Sequence, residues 1–312
     1  MTRIFCGVDV SSATLDAQIR PGSIEGQFSA TTEGIAALAA FCRQHGVELV
    51  VMEATGGYEK RAYTLLWNEG IPTAVVNPRL VRQFAQAMGS LEKTDRIDAC
   101  MIAWFAEVKR IVPQEPPSAV QERLRALVTR LRQLTELNVA QRNQRRLVGD
   151  AGVAQGFSEL LALLARQMRE IETEIAALLA ADPLWRALDR SFRSIKGVAG
   201  RTIARLVAEM PEIGTISNKA IAKLAGLAPL ADDSGKRNGR RTTRGGRTNV
   251  RSILFVVAEL VRRHNPDFAD FHSRLRQAGK SPKVTRVAMA RKLLVQLNAK
   301  ARDMRGELAL TA

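Results

Sequence analysis

Cysteine, histidine and tyrosine are scarce in this chain of 312 residues, numbering three, three and two. Cys6, Cys42 and Cys100 are odd in number, widely spaced and set in apolar stretches, which excludes a disulfide framework or a zinc site and predicts buried thiols. His45, His264 and His272 lack ligand spacing, so a histidine-built metal centre is excluded as well. Tyr58 and Tyr63 are the only tyrosines, and neither sits in an Arg- or His-rich setting, which argues against a tyrosine nucleophile. No apolar run is long enough to span a bilayer, and Met1-Thr2-Arg3 leads into a strand without the apolar core of a signal peptide. The expected location is the cytosol.

Positive charge is abundant and unevenly distributed. The formal net charge is +16; before residue 183 there are 20 basic and 21 acidic residues, and from there on 27 and 10. One unit that grips a polyanion and another that does chemistry would produce this asymmetry, and nucleic acid is the leading partner. A membrane surface fits less well, because the C-terminal cations are interleaved with Gly, Thr and Asn instead of lining an amphipathic helix.

Four carboxylates stand out in the first hundred residues: Asp9 in RIFCGVDVS, Glu53 in LVVMEATGGYE, and Asp95 and Asp98 in EKTDRIDA. Asp9 and Glu53 lie in or at the end of strand-like apolar runs, where an ionised carboxylate is costly unless a cation compensates it. Asp95 and Asp98 share one face at the start of a helical pattern and repel unless a cation lies between them. Taken singly, each acid also reads as a solvated strand end or a helix N-terminus complementing the dipole. Together they read as a divalent-metal site, with oxygen-only ligands favouring magnesium or manganese, and two such ions can serve phosphoryl transfer.

Residues 3 to about 112 read as a hairpin and third strand (Arg3 to Val10, Thr14 to Arg20, Ser23 to Ala30), then alternating helix and strand. The helices fall at Thr32 to His45, Tyr58 to Asn68, Pro78 to Met88 and Thr94 to Arg110, the strands at Val47 to Glu53 and Pro72 to Val76. This order predicts a ribonuclease-H-like α/β fold, bringing Asp9, Glu53 and the Asp95/Asp98 face to one sheet edge. The run Val112-Pro113-Gln114-Glu115-Pro116-Pro117 marks a domain boundary. From Ser118 to Asp182 the pattern is two long helices joined near Gly149 to Gly156; Leu161, Leu164, Met168, Ile171, Ile175 and Leu178 form a heptad seam. An antiparallel hairpin could satisfy that seam within one chain, and its few heptads favour packing between chains.

Residues 185 to 312 read as helical apart from one loop. Gly197 and Gly200 in SIKGVAGRTIARL suit a helix-hairpin-helix turn whose amides hold a phosphate, although a glycine pair before a helix is more often punctuation. Residues 233 to 251 carry Lys236, Arg237, Arg240, Arg241, Arg244, Arg247 and Arg251, four glycines and one acid, Asp233, and so read as a phosphate grip. Ser234 is a small hydroxyl at the loop's acidic edge.

GVDVSSATLD, MEATGGYE, VNPRLVRQFAQAMGSLEKTDRIDA, KGVAGRTIARLVAEMPEIG, LAGLAPLADDSGKRNGRR and RVAMARKLLVQLNA resemble, in order and spacing, the DEDD transposases of the one-ten insertion-sequence family, relatives of the Piv invertase. The resemblance implies that Asp9, Glu53, Asp95 and Asp98 are a RuvC-like tetrad and Ser234 a nucleophile. It implies a RuvC-like domain (1–112), a coiled-coil helical domain (118–182) and a helical C-terminal transposase domain (185–312). It further implies donor and target DNA as substrates, a guiding bridge RNA, and dimers assembling to tetramers. Ser12 stands where many members carry Lys, which leaves the ligands intact. Rival readings are a RuvC-type hydrolytic nuclease, in which Ser234 is only a loop residue, a sugar kinase or actin-like ATPase, and a non-catalytic RNA-binding protein. The kinase reading lacks a second phosphate loop; the last leaves four placed carboxylates unexplained.

Overall fold

The computed structural model describes residues 3–89, 95–231, 239 and 241–311, and the chain divides into two compact units, Met1–Pro117 and Ser118–Ala312. In the first unit, β1 (Phe5–Val10), β2 (Thr14–Arg20) and β3 (Ile24–Ser29) form an antiparallel meander. β4 (Leu49–Glu53) and β5 (Thr73–Val76) add on in parallel, giving the order β3-β2-β1-β4-β5. This mixed five-stranded order is the ribonuclease-H-like topology expected from the alternating pattern. Four helices complete the unit: α1 (Thr32–Gln44), α2 (Glu59–Asn68), α3 (Pro78–Ala87) and α4 (Asp95–Lys109). Local chemistry sets their starts. Thr31 accepts a hydrogen bond from the Gly34 amide, and Asn77 accepts one from Arg79 just ahead of Pro78 at the first helical position.

Strand alternation gives the sheet two apolar faces. Cys6, Val8 and Val10 join α1 and α2 in one core, while Phe5, Leu49 and Val51 pack with α3 and α4 on the other. Cys6 and Cys42 are buried free thiols, as expected, whereas Cys100 is free but only partly buried; the hydrogen bond with Cys42, together with burial, pushes the Cys6 thiol well up, so it stays protonated.

The second unit is helical: α5 (Ala119–Arg145), α6 (Ala151–Ala181), α7 (Pro183–Arg193), α8 (Gly200–Glu209), α9 (Asn218–Leu224), α10 (Thr248–His264), α11 (Pro266–Gln277) and α12 (Pro282–Thr311). The two long helices α5 and α6 pair within the chain, clamped near their outer ends by Arg123 on Glu174 at 2.7 Å. Leu124, Leu127, Leu131, Ile175 and Leu179 share one hydrophobic core with α7, α8, α10 and α12. Gln121 reinforces the junction by donating to the carbonyls of Val207 and Ala208 at the end of α8. Fully buried Asn298 of α12 holds the turn before α9, accepting from the Gly214 amide and donating to Ile216 O and Asn218 Oδ1. Among the described residues, no helix is long and apolar enough to cross a membrane.

Candidate active site and nucleic-acid interface

Phe5, Gly7 and Asp9 alternate onto the face of β1 that α4 covers, and Leu49, Val51 and Glu53 do the same on β4. Gly7 is the point of contact. A Cβ there would stand 2.1 Å from the Ala99 carbonyl oxygen and 2.5 Å from the Ala103 nitrogen, so only glycine lets helix and strand backbones meet. At the start of β1, Phe5 lies opposite Arg20, whose guanidinium pairs with Glu107 at 3.4 Å and sits 5.1 Å from the Trp104 ring centroid. α4 therefore runs antiparallel to β1, and its first turn reaches the strand end that carries Asp9. Asp9 is about 6.7 Å along the strand from Gly7; Asp98 and Asp95 are about 4.5 and 9 Å along the helix from the level between Ala99 and Ala103, so the two acids bracket it. Asp9, Glu53 and Asp98 are half-buried; the Asp95 side chain lies outside the described residues.

Among the described residues, no group of three or more His, Cys, Asp or Glu is gathered so as to hold a metal ion. Two further carboxylates belong to this region and were not singled out by the sequence. Asp16 on β2 is directly opposite Asp9, and Gln27 Nε2 donates to its Oδ1 at 2.7 Å. The sign available was the equal distance of the two acids from the hairpin turn. Glu59 is buried, and its Oε2 accepts from the Thr55 and Gly57 amides at 2.9 Å each, fixing the loop that follows Glu53. That loop turns through Gly56 and Gly57 at φ 65° and 110°, and Thr55 Oγ1 donates to Glu53 O at 3.3 Å. In MEATGGYE the first glutamate thus stands at the C-terminal end of β4 and the second latches its loop.

Ser234, Lys236, Arg237 and Arg240 of the basic segment lie outside the described residues. Arg241 and Arg244 are exposed. Arg247 is engaged inside the unit: its guanidinium makes two 2.5 Å bonds to Glu212 and donates to Glu209 O at 2.8 Å. Burial would raise the Glu212 carboxyl, but these bonds outweigh it and hold the group below its ordinary range. Arg251 donates to Gly245 O at 2.7 Å, and the Gly245–Gly246 turn lies against Gly226, where a Cβ would come within 2.2 Å of Gly245 O. The end of the basic segment is therefore anchored on LAGL.

Gly197 turns at φ 100° with α10 behind it; a Cβ would stand 2.9 Å from Val261 N. Its glycine is required by this close approach. Gly200 is the first residue of α8, and Ala199 before it provides no side-chain cap.

Two family models match the chain. One, described as a DEDD Transposase of IS110, covers residues 6–148, and the other, described as Transposase IS116/IS110/IS902 family, covers 189–273. Pilin gene-inverting proteins of Moraxella lacunata and Moraxella bovis are each 24% identical over 305 residues, 94% of either chain. Thermus thermophilus RuvC is similar over 36% of this chain and 99% of its own, at 14% identity and TM-score 0.27 in complex with a Holliday junction substrate, and at 13% and 0.25 in a second structure. At such scores the fold assignment rests on the strand order itself. The two models together span both units in the right order, and the pilin-inverting relatives align over nearly the whole length. This chain belongs to the IS110 family of transposases.

Proposed function

We propose that this protein cuts and rejoins DNA, using four carboxylates of the first unit for metal-assisted phosphoryl transfer and Ser234 as the nucleophile. The observation that chiefly supports this is the Gly7 contact, which sets the first turn of α4 at the same sheet end as Asp9 and Glu53. Asp9, Glu53, Asp95 and Asp98 are all-oxygen donors suited to a pair of magnesium or manganese ions. When bound, the ions supply Lewis-acid polarisation of the scissile phosphate and charge for the departing oxygen. Glu59 keeps the loop after Glu53 in place, and the Asp16–Gln27 hydrogen bond steadies the carboxylate next to Asp9.

Ser234 acts as nucleophile. Its Oγ–P bond forms as the bond from phosphorus to a sugar oxygen breaks; the hydroxyl proton passes to a base, for which Asp233 is adjacent in sequence, and the sugar oxygen takes up a proton. The phosphoserine conserves the phosphodiester, so the strand can be rejoined to a new end without nucleotide hydrolysis. Lys236, Arg237, Arg240, Arg241 and Arg244 hold phosphates and offset the charge that builds up on phosphorus. Arg247 and Arg251 shape the base of that loop, and the Gly197–Gly200 turn adds the N-terminus of α8, which has no side-chain cap.

The inversion for which the Moraxella relatives are named, like transposition, exchanges paired strands, and this favours an assembly of two or four subunits. Exposed Leu137, Leu160 and Leu163 on the α5–α6 hairpin offer a coiled-coil contact between copies. A bridge RNA that selects donor and target is carried by the family resemblance, and the C-terminal charge excess suits it.

The second reading is a hydrolytic nuclease. Denaturing gels of a reaction with end-labelled DNA separate the two: a protein-linked species with the native chain and none with Ser234→Ala supports the covalent route, whereas free ends alone, or recombination by Ser234→Ala, establish hydrolysis.

A further inference from the structure

In the C-terminal unit, a cavity of about 690 Å³ opens between the anchored end of the basic segment, α11 and α12. This is within the roughly 300–1,000 Å³ of small-ligand sites. Its floor is apolar, formed by Leu227, Phe271, Val284, Val287 and Val295. Arg241, Lys283, Arg291 and Lys292 surround that floor, and no Asp or Glu lines the cavity among the described residues. Along α12, positions 284, 287, 288, 291 and 295 recur at helical spacing, so apolar and cationic groups share one stripe.

Lys292 Nζ sits 4.8 Å from the Phe271 ring centroid and donates to Asp267 O, which steadies the ring at the cavity wall. Leu230 N donates to Thr242 O at 2.9 Å, which ties Thr242 of the cavity lining to the chain just ahead of the basic segment. An apolar peptide would use the floor but draw nothing from four cations. A bare phosphate would use the cations but leave the floor in water. A ligand that is flat and apolar at one end and anionic at the other uses both.

We propose that this cavity takes one unpaired nucleotide of a single strand held by the basic loop, with its base against Phe271 and Val287 and its phosphates on Arg241, Lys283 and Arg291. The proposal rests on the nucleic-acid reading above and adds to it a base-dependent contact.

The test compares binding of the full-length protein to thymidine oligomers of about 20 nucleotides with binding to oligomers of equal length built of abasic sites, which keep every phosphate. The base-containing strand should bind about tenfold more tightly, as expected for one stacked base, with both strands showing the same salt slope. Phe271→Leu, which keeps the apolar floor but removes the ring, and Ala288→Trp, which fills the cavity, should each erase the preference without changing the abasic affinity. Equal affinity of the native chain for both strands overturns the pocket and leaves the grip standing; absence of salt-dependent binding to either overturns the nucleic-acid reading itself. Running the deoxyribose and ribose series side by side shows whether the nucleotide comes from DNA or RNA.

Discussion

Gly7 and Ala99 are in backbone contact: the strand α-carbon lies so close to the helix carbonyl that one added methyl group would come within 2.1 Å of its oxygen. This contact brings the first half of α4 over β1, near the strand end that carries Asp9. Gly7→Ala should lower stability by about 1–3 kcal/mol, the usual range for overpacking, and Gly7→Val by more, with strand cleavage lost in both because α4 must shift. Thermal melts and cleavage assays on the same preparations check this. An unshifted melt with full activity in Gly7→Val would show that the contact does not set the site.

Asp9→Asn, Glu53→Gln and Asp98→Asn should each abolish strand cleavage, by at least about a hundredfold, while the melting temperature stays near native. A chelator should reproduce the loss, and added magnesium or manganese should reverse it. Full recombination by any one of these variants would remove that carboxylate from the proposed set.

The cations of the basic segment should fall into two groups. Changing Arg237, Arg240, Arg241 and Arg244 together to Ala should flatten the slope of log affinity against log salt by about 0.9 per lost phosphate contact on duplex DNA, or about 0.7 on single strands. Arg247→Ala should instead destabilise the fold, because it leaves Glu212 half-buried without its partner. An unchanged slope in the quadruple variant would move the grip to another surface.

Glu212 gives acid sensitivity a specific source. Its folded carboxyl lies below the ordinary range, so its contribution to stability is complete above the unfolded glutamate pKa of about 4.3 and is lost as pH falls through the lowered folded value. Glu209 is opposite in sign: burial raises it, so it favours the folded state in acid and loses that contribution as pH rises. Glu212→Gln should cost about 1–3 kcal/mol at neutral pH, less than a fully buried pair because both partners keep about a third of their surface in water, and should shrink toward zero in acid. Denaturant titrations from pH 7 to about 3 measure it. A cost that does not change with pH would assign the loss to packing instead of charge.

Much of the first unit was legible because its signals are local. The strand and helix bounds read from residues 3 to 112 fall close to those of β1 to β5 and α1 to α4, and the prolines before Ser118 fall at the division between the two units. The alternating order of these elements also led to the ribonuclease-H-like sheet, whose strand order is β3-β2-β1-β4-β5.

Other features depended on long-range packing. Nothing in GVDVS says that Gly7 meets Ala99 and Ala103, because a close backbone approach is set by what lies across the sheet. The heptad seam admits an intrachain or an intermolecular partner, and its few heptads favour the second; in this chain α5 and α6 pair with each other and share the core of the C-terminal helices. Arg247 is one of seven cations by composition, yet a glutamate 35 positions earlier claims it with two short bonds. Composition and periodicity determine which residues are ionised and which faces are apolar. Only the folded chain decides which ions find partners and which remain at the surface for a polyanion, since that choice depends on distances between residues far apart in sequence.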